Sequence, residues 1–178
     1  MIVLMAGPPG TGKSTLARAI AQHLAAAVVL DKDVVRAALF PPRYIEYSRE
    51  QDDFCMEVIY RTSAYLLGRH PGLVVLVDGR PFAHRYQVEE AGRWARTLGV
   101  QLGIIECTCS DETARRRLLA DEAEGHHPAG NRSYELYLEV KRSFEPISEP
   151  KLVVDTDRPL QECLEACLTY IQGLANPA

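Results

Sequence analysis

Long apolar runs are missing from this sequence of 178 residues. No stretch approaches the roughly 20 consecutive apolar residues of a membrane-spanning helix, so we expect no membrane partner. The N-terminus also lacks the basic segment of a secretion signal, and its first apolar run, residues 1–6, is too short for one. These absences lead us to expect a cytoplasmic protein.

A strong excess of one charge is missing as well. The formal net charge is −4, whereas proteins that bind long nucleic acids usually carry a basic stripe. This charge still allows a local basic groove. Repeats, low-complexity tracts and dividing linkers are also absent, so we expect residues 1–178 to form one domain.

The five cysteines lack the spacing of the common zinc sites. Cys107 and Cys109 share one face of a predicted strand, and Cys163 and Cys167 share one face of a predicted helix. We interpret them as free thiols that fill the core as small apolar side chains.

The most informative segment present is a glycine-rich motif of the form GxxxxGK[ST] at residues 7–14. Glycines permit the backbone angles that turn N–H groups towards phosphates. In this motif the lysine reaches the β- and γ-phosphates, and the serine hydroxyl ligates Mg²⁺. A strand pattern precedes the motif and a helical pattern follows it, as a phosphate-binding P-loop requires. We therefore predict that ATP and Mg²⁺ are bound by Gly7, Pro8, Pro9, Gly10, Thr11, Gly12, Lys13, Ser14 and Thr15.

Strand and helix patterns alternate along the chain. The strands are predicted near residues 1–6, 27–31, 73–77, 100–107 and 151–154, and helices near 49–69, 83–98 and 110–119, from about 133, and from 159. Ser48 and Gln51 form a capping-box pattern at the start of the helix near 49–69. This alternation predicts an α/β fold, namely a P-loop NTPase fold with a five-stranded parallel sheet flanked by helices. The polar segment 121–132 is predicted to be a loop, and with the arginines before it predicts a small lid over about residues 115–133.

Two missing motifs narrow the class of P-loop protein. The sequence has no Asn/Thr-Lys-x-Asp motif of the GTPases, and the strand that ends in Asp78 lacks the adjacent glutamate with which many ATPases activate water. The chain is also too short for an AAA+ core with its helical lid domain. A small kinase remains, which transfers the phosphoryl group to a bound alcohol or phosphate.

A second informative segment contains Asp31, Asp33 and Arg36 at the end of an apolar strand pattern. In a doubly wound sheet, the carboxyl ends of the strands converge on the crevice above the P-loop. Asp33 is thus well placed to take a proton from an acceptor hydroxyl, and Arg36 to hold an anionic part of the acceptor. The alternative is that Asp33 caps the following helix and Arg36 is a solvated surface charge, although capping would not exclude catalysis.

The P-loop followed by Asp-x-Asp-x-x-Arg resembles the group of P-loop kinases that includes zeta-toxins, polynucleotide 5′-kinase-like and chloramphenicol phosphotransferase-like enzymes. Gluconate kinase-like enzymes and many AAA-domain kinases also belong to it. The resemblance implies that Asp33 is the general base and that Arg36 contacts the acceptor. Residues 107–118 are similar to the family's strand, turn and arginine-bearing helix. That similarity implies a nucleotide contact from Arg117 by position, with Arg115, Arg116 and Arg132 as rivals.

Other matches to this group are looser. Residues 153–156 resemble the segment beside the adenine, which implies that Thr156 borders the base. Asp78 stands where a Walker B carboxylate would and is predicted to hold Mg²⁺ together with Ser14; the alternative is that it orients the acceptor. Arg80 either pairs with Asp78 or binds the acceptor. The second lid arginine of the family is replaced here by Asp121.

The acceptor itself stays open at this point. We favour a hydroxyl of a small molecule. The first alternative is a 5′-hydroxyl end of a nucleic acid, which aromatic and basic side chains would stack and clamp: Tyr44, Tyr47, Phe54, Arg43 and Arg49. The second alternative is a nucleotide-binding protein with little turnover. A monomer and a homodimer are both compatible with the sequence.

Overall fold

The computed structural model describes residues 1–124 and 133–175. Its strands are β1 (Ile2–Ala6), β2 (Ala27–Asp31), β3 (Val74–Asp78), β4 (Leu102–Thr108) and β5 (Leu152–Asp155). Its helices are α1 (Lys13–His23), α2 (Lys32–Leu39), α3 (Arg49–Arg69), α4 (Arg85–Leu98), α5 (Asp111–Glu124), α6 (Tyr134–Ser143) and α7 (Leu160–Ala175), with a short 3₁₀ turn at Pro42–Tyr44.

The five strands form one parallel sheet in the order β2-β3-β1-β4-β5. This arrangement confirms the predicted α/β fold of the P-loop NTPases. The first strand lies in the centre, and all five of its residues are buried. Its end, and therefore the P-loop, lies between the ends of β3 and β4. The register sets Asp31 of β2 beside Asp78 of β3 at the same edge.

Apolar side chains cover both faces of the sheet. On one face, helices α3 and α4 pack onto the sheet through Met56, Ile59, Tyr60, Val88, Ala91 and Ala95. On the other face, α1 and α7 contribute Leu16, Ala17, Ile20, Cys163, Leu164, Cys167 and Ile171. All five cysteines are free, and every one except Cys109 is buried, as the sequence predicted for small core side chains.

The end of helix α5 differs from the sequence prediction. The loop predicted at 121–132 begins too early, because α5 continues to Glu124. Residues 118–124 include leucine, alanine and glutamate, which favour a helix over a loop. The remainder of that loop, with Arg132, lies outside the described residues. Within the described ranges, no helix is both long enough and apolar enough to cross a bilayer.

Helix α3 begins as its sequence predicts, but with half of the expected capping box. The Ser48 hydroxyl accepts a hydrogen bond from the Gln51 N–H at 3.2 Å. The Gln51 side-chain oxygen, however, accepts from the Glu46 N–H at 3.0 Å. Gln51 thus fastens the segment before α3, which fixes where the first turn of this helix lies.

Candidate phosphate and acceptor site

The P-loop follows β1 in a conformation that requires glycine at its start. Gly7 has φ of 126°, and a Cβ atom built there would lie 2.3 Å from the Cys107 carbonyl oxygen of β4. The Gly7 N–H donates to the Pro81 carbonyl oxygen at 2.9 Å. The start of the loop is therefore held between the segment that follows β3 and the end of β4. This close approach is possible only because residue 7 has no side chain.

The P-loop then leads into α1 in the geometry of an anion site. Gly12 precedes the helix with φ of 82°, and in the described part of the chain no side-chain cap is seen on the first N–H groups. Such N–H groups, together with the positive end of the helix dipole, favour a bound phosphate. Lys13 is buried, and its Nζ donates to the Pro8 carbonyl oxygen at 2.7 Å. The predicted phosphate-binding residues 7–15 thus form the loop and the first turn of α1.

Arg117 is the arginine of α5 that reaches this loop. Its Nη1 donates to Thr156 Oγ1 at 2.9 Å and to the Gly10 carbonyl oxygen at 3.3 Å, and its Nη2 donates to the Thr156 carbonyl oxygen at 2.8 Å. The Thr156 hydroxyl also lies 2.9 Å from the Thr11 carbonyl oxygen. Arg117 and Thr156 therefore join α5 and the end of β5 to the P-loop.

The two neighbouring arginines point elsewhere. Arg115 and Arg116 are both exposed. Arg115 lies over the Tyr134 ring of α6, 5.8 Å from its centroid, and Arg116 contacts the Thr113 hydroxyl at 3.4 Å. Successive helical residues are rotated by about 100°, so only one of three adjacent arginines faces the loop. Arg132, the fourth candidate, is outside the described residues.

Asp78 and Ser14 fit the requirements of a Mg²⁺ site. Asp78 ends β3 beside the P-loop and is 1% exposed, and its Oδ1 atom is buried with no hydrogen-bond partner in the described part of the chain. A buried carboxylate oxygen without a partner is costly, and a cation would offset that cost. Ser14 is half-buried in the first turn of α1. Hydroxyl and carboxylate oxygens are ligands that Mg²⁺ prefers.

The cap of α2 is Asp31, and Asp33 is not used for this purpose. Asp31 Oδ1 accepts from the Asp33 N–H at 2.8 Å and from the Val34 N–H at 3.4 Å. A Cβ atom at Gly79 would lie 2.6 Å from this same oxygen, so the glycine after Asp78 makes room for the cap. Burial, followed by the Asp78 charge, raises the pKa of Asp31. The predicted alternative, in which Asp33 caps the helix, is wrong.

Asp33 is instead held by cations through one oxygen. Its Oδ1 accepts from Arg36 Nη1 at 2.7 Å and lies 3.4 Å from Lys32 Nζ. Neither of these contacts uses Oδ2. Arg36 is 2% exposed, so its predicted alternative as a solvated surface charge is also wrong. This arrangement orients a carboxylate and leaves one oxygen for a ligand.

Helix α3 supplies a second carboxylate to the same cluster. Asp52 Oδ1 accepts from Lys32 Nζ at 2.9 Å and makes a short contact with Arg36 Nη2. Burial lowers the pKa of Lys32 to about 8, against the opposing charge of Asp33. Sequence analysis did not identify Lys32 or Asp52 as part of the site. The two lie 20 residues apart, and the one available signal was the charge of Lys32 directly after an apolar strand.

Arg80 pairs with Asp53, whereas its sequence position suggested Asp78 as one possible partner. Its Nη2 makes a short ion pair with Asp53 Oδ1 and lies 3.1 Å from the Tyr86 hydroxyl. The described residues show no contact between Arg80 and Asp78. Arg80 is 1% exposed. Asp52 and Asp53, adjacent on α3, thus engage the two buried arginines of the crevice.

The fold and the loop together define the protein as a member of the P-loop NTPase class. The model of the AAA domain family matches residues 2–146. This match covers most of the chain, which therefore belongs to the AAA domain family. None of the curated proteins matches it.

Solved structures share the fold at low sequence identity. A structure from Chloroflexus aurantiacus is 22% identical with a TM-score of 0.73, covering 95% of this chain and 97% of that one. A gluconokinase from Sinorhizobium meliloti is 19% identical with a TM-score of 0.70, covering 98% and 92%. The APS kinase CysC from Mycobacterium tuberculosis, in complex with AMPPNP and APS, is 19% identical with a TM-score of 0.68, covering 96% of each chain.

Proposed function

We propose that this protein is an ATP-dependent kinase that transfers the γ-phosphoryl group to a hydroxyl of a small molecule. The observation that carries the proposal is the position of Asp33. It lies at the same edge of the sheet as the P-loop, with Asp78 between them, and its contacts leave Oδ2 available. The gluconokinase and the APS kinase with the same fold support this function.

In this mechanism the acceptor oxygen attacks the γ-phosphorus of ATP. Asp33 takes the hydroxyl proton, and the bond to the leaving oxygen of ADP breaks. Lys13, the P-loop N–H groups and Arg117 neutralise the charge that develops on the phosphoryl oxygens. Ser14 and Asp78 would hold Mg²⁺, which supplies further charge neutralisation on the phosphates when bound.

Two finer assignments belong to the same proposal. Thr156 borders the nucleotide on the side of the base, since it lies against the P-loop at the end of β5. Within the AAA domain family, we assign the protein to the group that contains the zeta-toxins, the polynucleotide 5′-kinase-like enzymes and the chloramphenicol phosphotransferase-like enzymes. The support for this assignment is the Asp33–Arg36 pair, whose 2.7 Å contact gives the Asp-x-x-Arg element one joint role.

The test is a screen of sugars, nucleosides, antibiotics and 5′-hydroxyl oligonucleotides for acceptor-dependent release of ADP.

Lys13→Ala should abolish transfer. Asp33→Asn should lower kcat by about 10²–10⁴-fold while ATP affinity is kept, because a general base contributes that much. Asp31→Asn is the matched control, since its amide oxygen still caps α2. Near-normal turnover of Asp33→Asn would contradict the proposed base.

A second candidate is a kinase of 5′-hydroxyl polynucleotide ends. The observation in its favour is that Tyr44 and Phe54 are about half exposed near α2, and that Arg43 lies over the Tyr44 ring at 4.7 Å. Exposed aromatic rings next to arginine stack on bases. Binding of an oligonucleotide should then weaken markedly as salt rises.

If no acceptor at all stimulates ADP release, a nucleotide-binding protein with little turnover is favoured.

A further inference from the structure

The Arg80 guanidinium is buried with fewer partners than it has donors. Both of its hydrogen bonds, to Asp53 and to the Tyr86 hydroxyl, use Nη2. The Nε and Nη1 atoms are buried without a hydrogen-bond partner within residues 1–124 and 133–175. Leaving buried donors unpaired costs free energy, more so when they belong to a charged group. A cost of this kind is offset when a ligand supplies the missing acceptors.

Arg80 lies on the acceptor side of the crevice. It follows β3 by two residues. Its positive charge, like that of Arg36, contributes to lowering the pKa of Lys32. Arg36 repeats the same feature, because its Nε is also buried without a partner in the described chain. Two buried arginines with unpaired donors thus act on Lys32, whose Nζ lies 3.4 Å from Asp33 Oδ1. Within the described residues, neither arginine donates to the P-loop.

The groups that cover Arg80 are themselves close to solvent. The Asp53 side chain is 43% exposed, and Tyr86 is 39% exposed. The Tyr86 ring lies over the guanidinium at 5.7 Å, and its hydroxyl also contacts Asp53 Oδ1 at 3.4 Å. Both are partly exposed side chains, and such side chains change rotamer readily.

We propose that Arg80 is a binding residue for an anionic group of the acceptor, and that Asp53 occupies this position when no acceptor is bound. A carboxylate, phosphate or sulfate presents oxygen acceptors only, and guanidinium N–H groups pair best with such groups. An anion that pairs with both Nη1 and Nη2 takes the place of the Asp53 carboxylate on Nη2, so an unpaired donor gains an acceptor and the charge of Arg80 stays paired throughout. The identity of this ligand as the acceptor rests on the proposed kinase function.

The first experiment measures binding of inorganic sulfate by titration calorimetry, with Mg²⁺ and ADP present so that the P-loop is filled. Wild type should bind sulfate saturably, and Arg80→Gln should weaken binding by about tenfold or more, as for loss of a charged hydrogen bond. Arg61→Gln, on the exposed face of the same α3 helix as Asp53, is the control and should bind like wild type. Equal binding by Arg80→Gln, or no saturable binding by wild type, would overturn the proposal.

Asp53→Asn provides a test that does not depend on the folding of an Arg80 variant. Removing the competing carboxylate should tighten sulfate binding several-fold, because the anion no longer displaces a charged partner. A purely structural Asp53–Arg80 pair predicts the opposite, namely unchanged or weaker binding. Unchanged or weaker binding would therefore overturn the role assigned to Asp53 and Arg80.

The second experiment compares acceptors in matched pairs that differ by one anionic group: gluconate with sorbitol, glycerate with glycerol, and nucleoside 3′-phosphates with nucleosides. Anionic members should stimulate ADP release at lower concentration, and Arg80→Gln should remove that advantage. If neutral members serve equally well, the kinase function stands and the anion inference fails. If sulfate binds as expected but no compound stimulates ADP release, the anion site stands and the kinase function fails.

Discussion

Thr156 receives two hydrogen bonds from the Arg117 guanidinium, at 2.9 Å to its hydroxyl and at 2.8 Å to its carbonyl oxygen. The same hydroxyl lies 2.9 Å from the Thr11 carbonyl oxygen of the P-loop. Helix α5, the end of β5 and the phosphate loop are thus connected through two side chains. A charge held in this way is already oriented when a phosphate enters the loop, so little reorganisation is needed.

Arg117→Gln should lower kcat for phosphoryl transfer by on the order of 10²-fold, because it removes a fixed positive charge from the transition state. Steady-state ADP release with a saturating acceptor measures the effect. The adjacent Arg116→Gln is the control, since Arg116 is exposed and faces Thr113. Comparable losses in the two variants would contradict the assignment of Arg117 and favour a general effect of charge on α5.

Gly7→Ala should destabilise the protein by at least about 3 kcal/mol and abolish nucleotide binding, because its Cβ would overlap the Cys107 carbonyl oxygen. Gly72→Ala is the matched control. Gly72 also has positive φ, at 83°, but a Cβ there would meet nothing within 4 Å. Gly72→Ala should lower the free energy of unfolding by only about 1–2 kcal/mol, because of the left-handed backbone, and leave ADP binding intact. Denaturant unfolding and ADP titration separate the two outcomes.

Asp78→Asn should have opposite effects on stability and on metal-dependent binding. Without nucleotide, the variant should be at least as stable as wild type, since a buried carboxylate oxygen without a partner is removed. The Mg²⁺ concentration required for tight ADP binding should rise by about tenfold or more, as for loss of a charged ligand. Asp155→Asn, at the exposed end of β5, is the control. An unchanged Mg²⁺ requirement for Asp78→Asn would argue against this carboxylate as a metal ligand.

Lys32 should make the folding stability rise with pH over a defined window. Burial lowers the pKa of Lys32 from 10.5 to about 8 in the folded protein. Between these values the unfolded chain still binds the proton that the folded protein has released, so the free energy of unfolding increases as pH rises. Below about pH 8, both states carry the proton and this increase is absent.

The measurement for Lys32 is a comparison of wild type with Lys32→Met by denaturant unfolding from about pH 7 to 10. Taking the difference cancels other groups that titrate in the alkaline range, such as Cys107, whose pKa burial raises to about 12. Wild type should gain stability relative to Lys32→Met above about pH 8. A difference that does not change with pH would contradict the lowered pKa.

Local sequence patterns were sufficient for the framework of the fold. Alternating apolar runs and helical periods predicted all five strands to within two residues at each end, and Ser48 correctly marked the start of α3. The P-loop motif predicted the strand before it and the helix after it, because its glycines meet a local requirement for positive φ. Where the prediction failed, at residues 121–124, polar composition suggested a loop, whereas the helix propensity of the same residues continued α5.

The sequence by itself therefore determined the parallel sheet, the phosphate loop and the presence of acidic and basic side chains after β2. Only the tertiary structure decided which of them meet. It brought Arg117 rather than its neighbours against the P-loop, gave the cap of α2 to Asp31, and paired Asp33 and Asp52 with Arg36 and Asp53 with Arg80. The reason is physical: backbone periodicity is a local property, whereas charge pairing depends on how α3 packs against α2 and the end of β3.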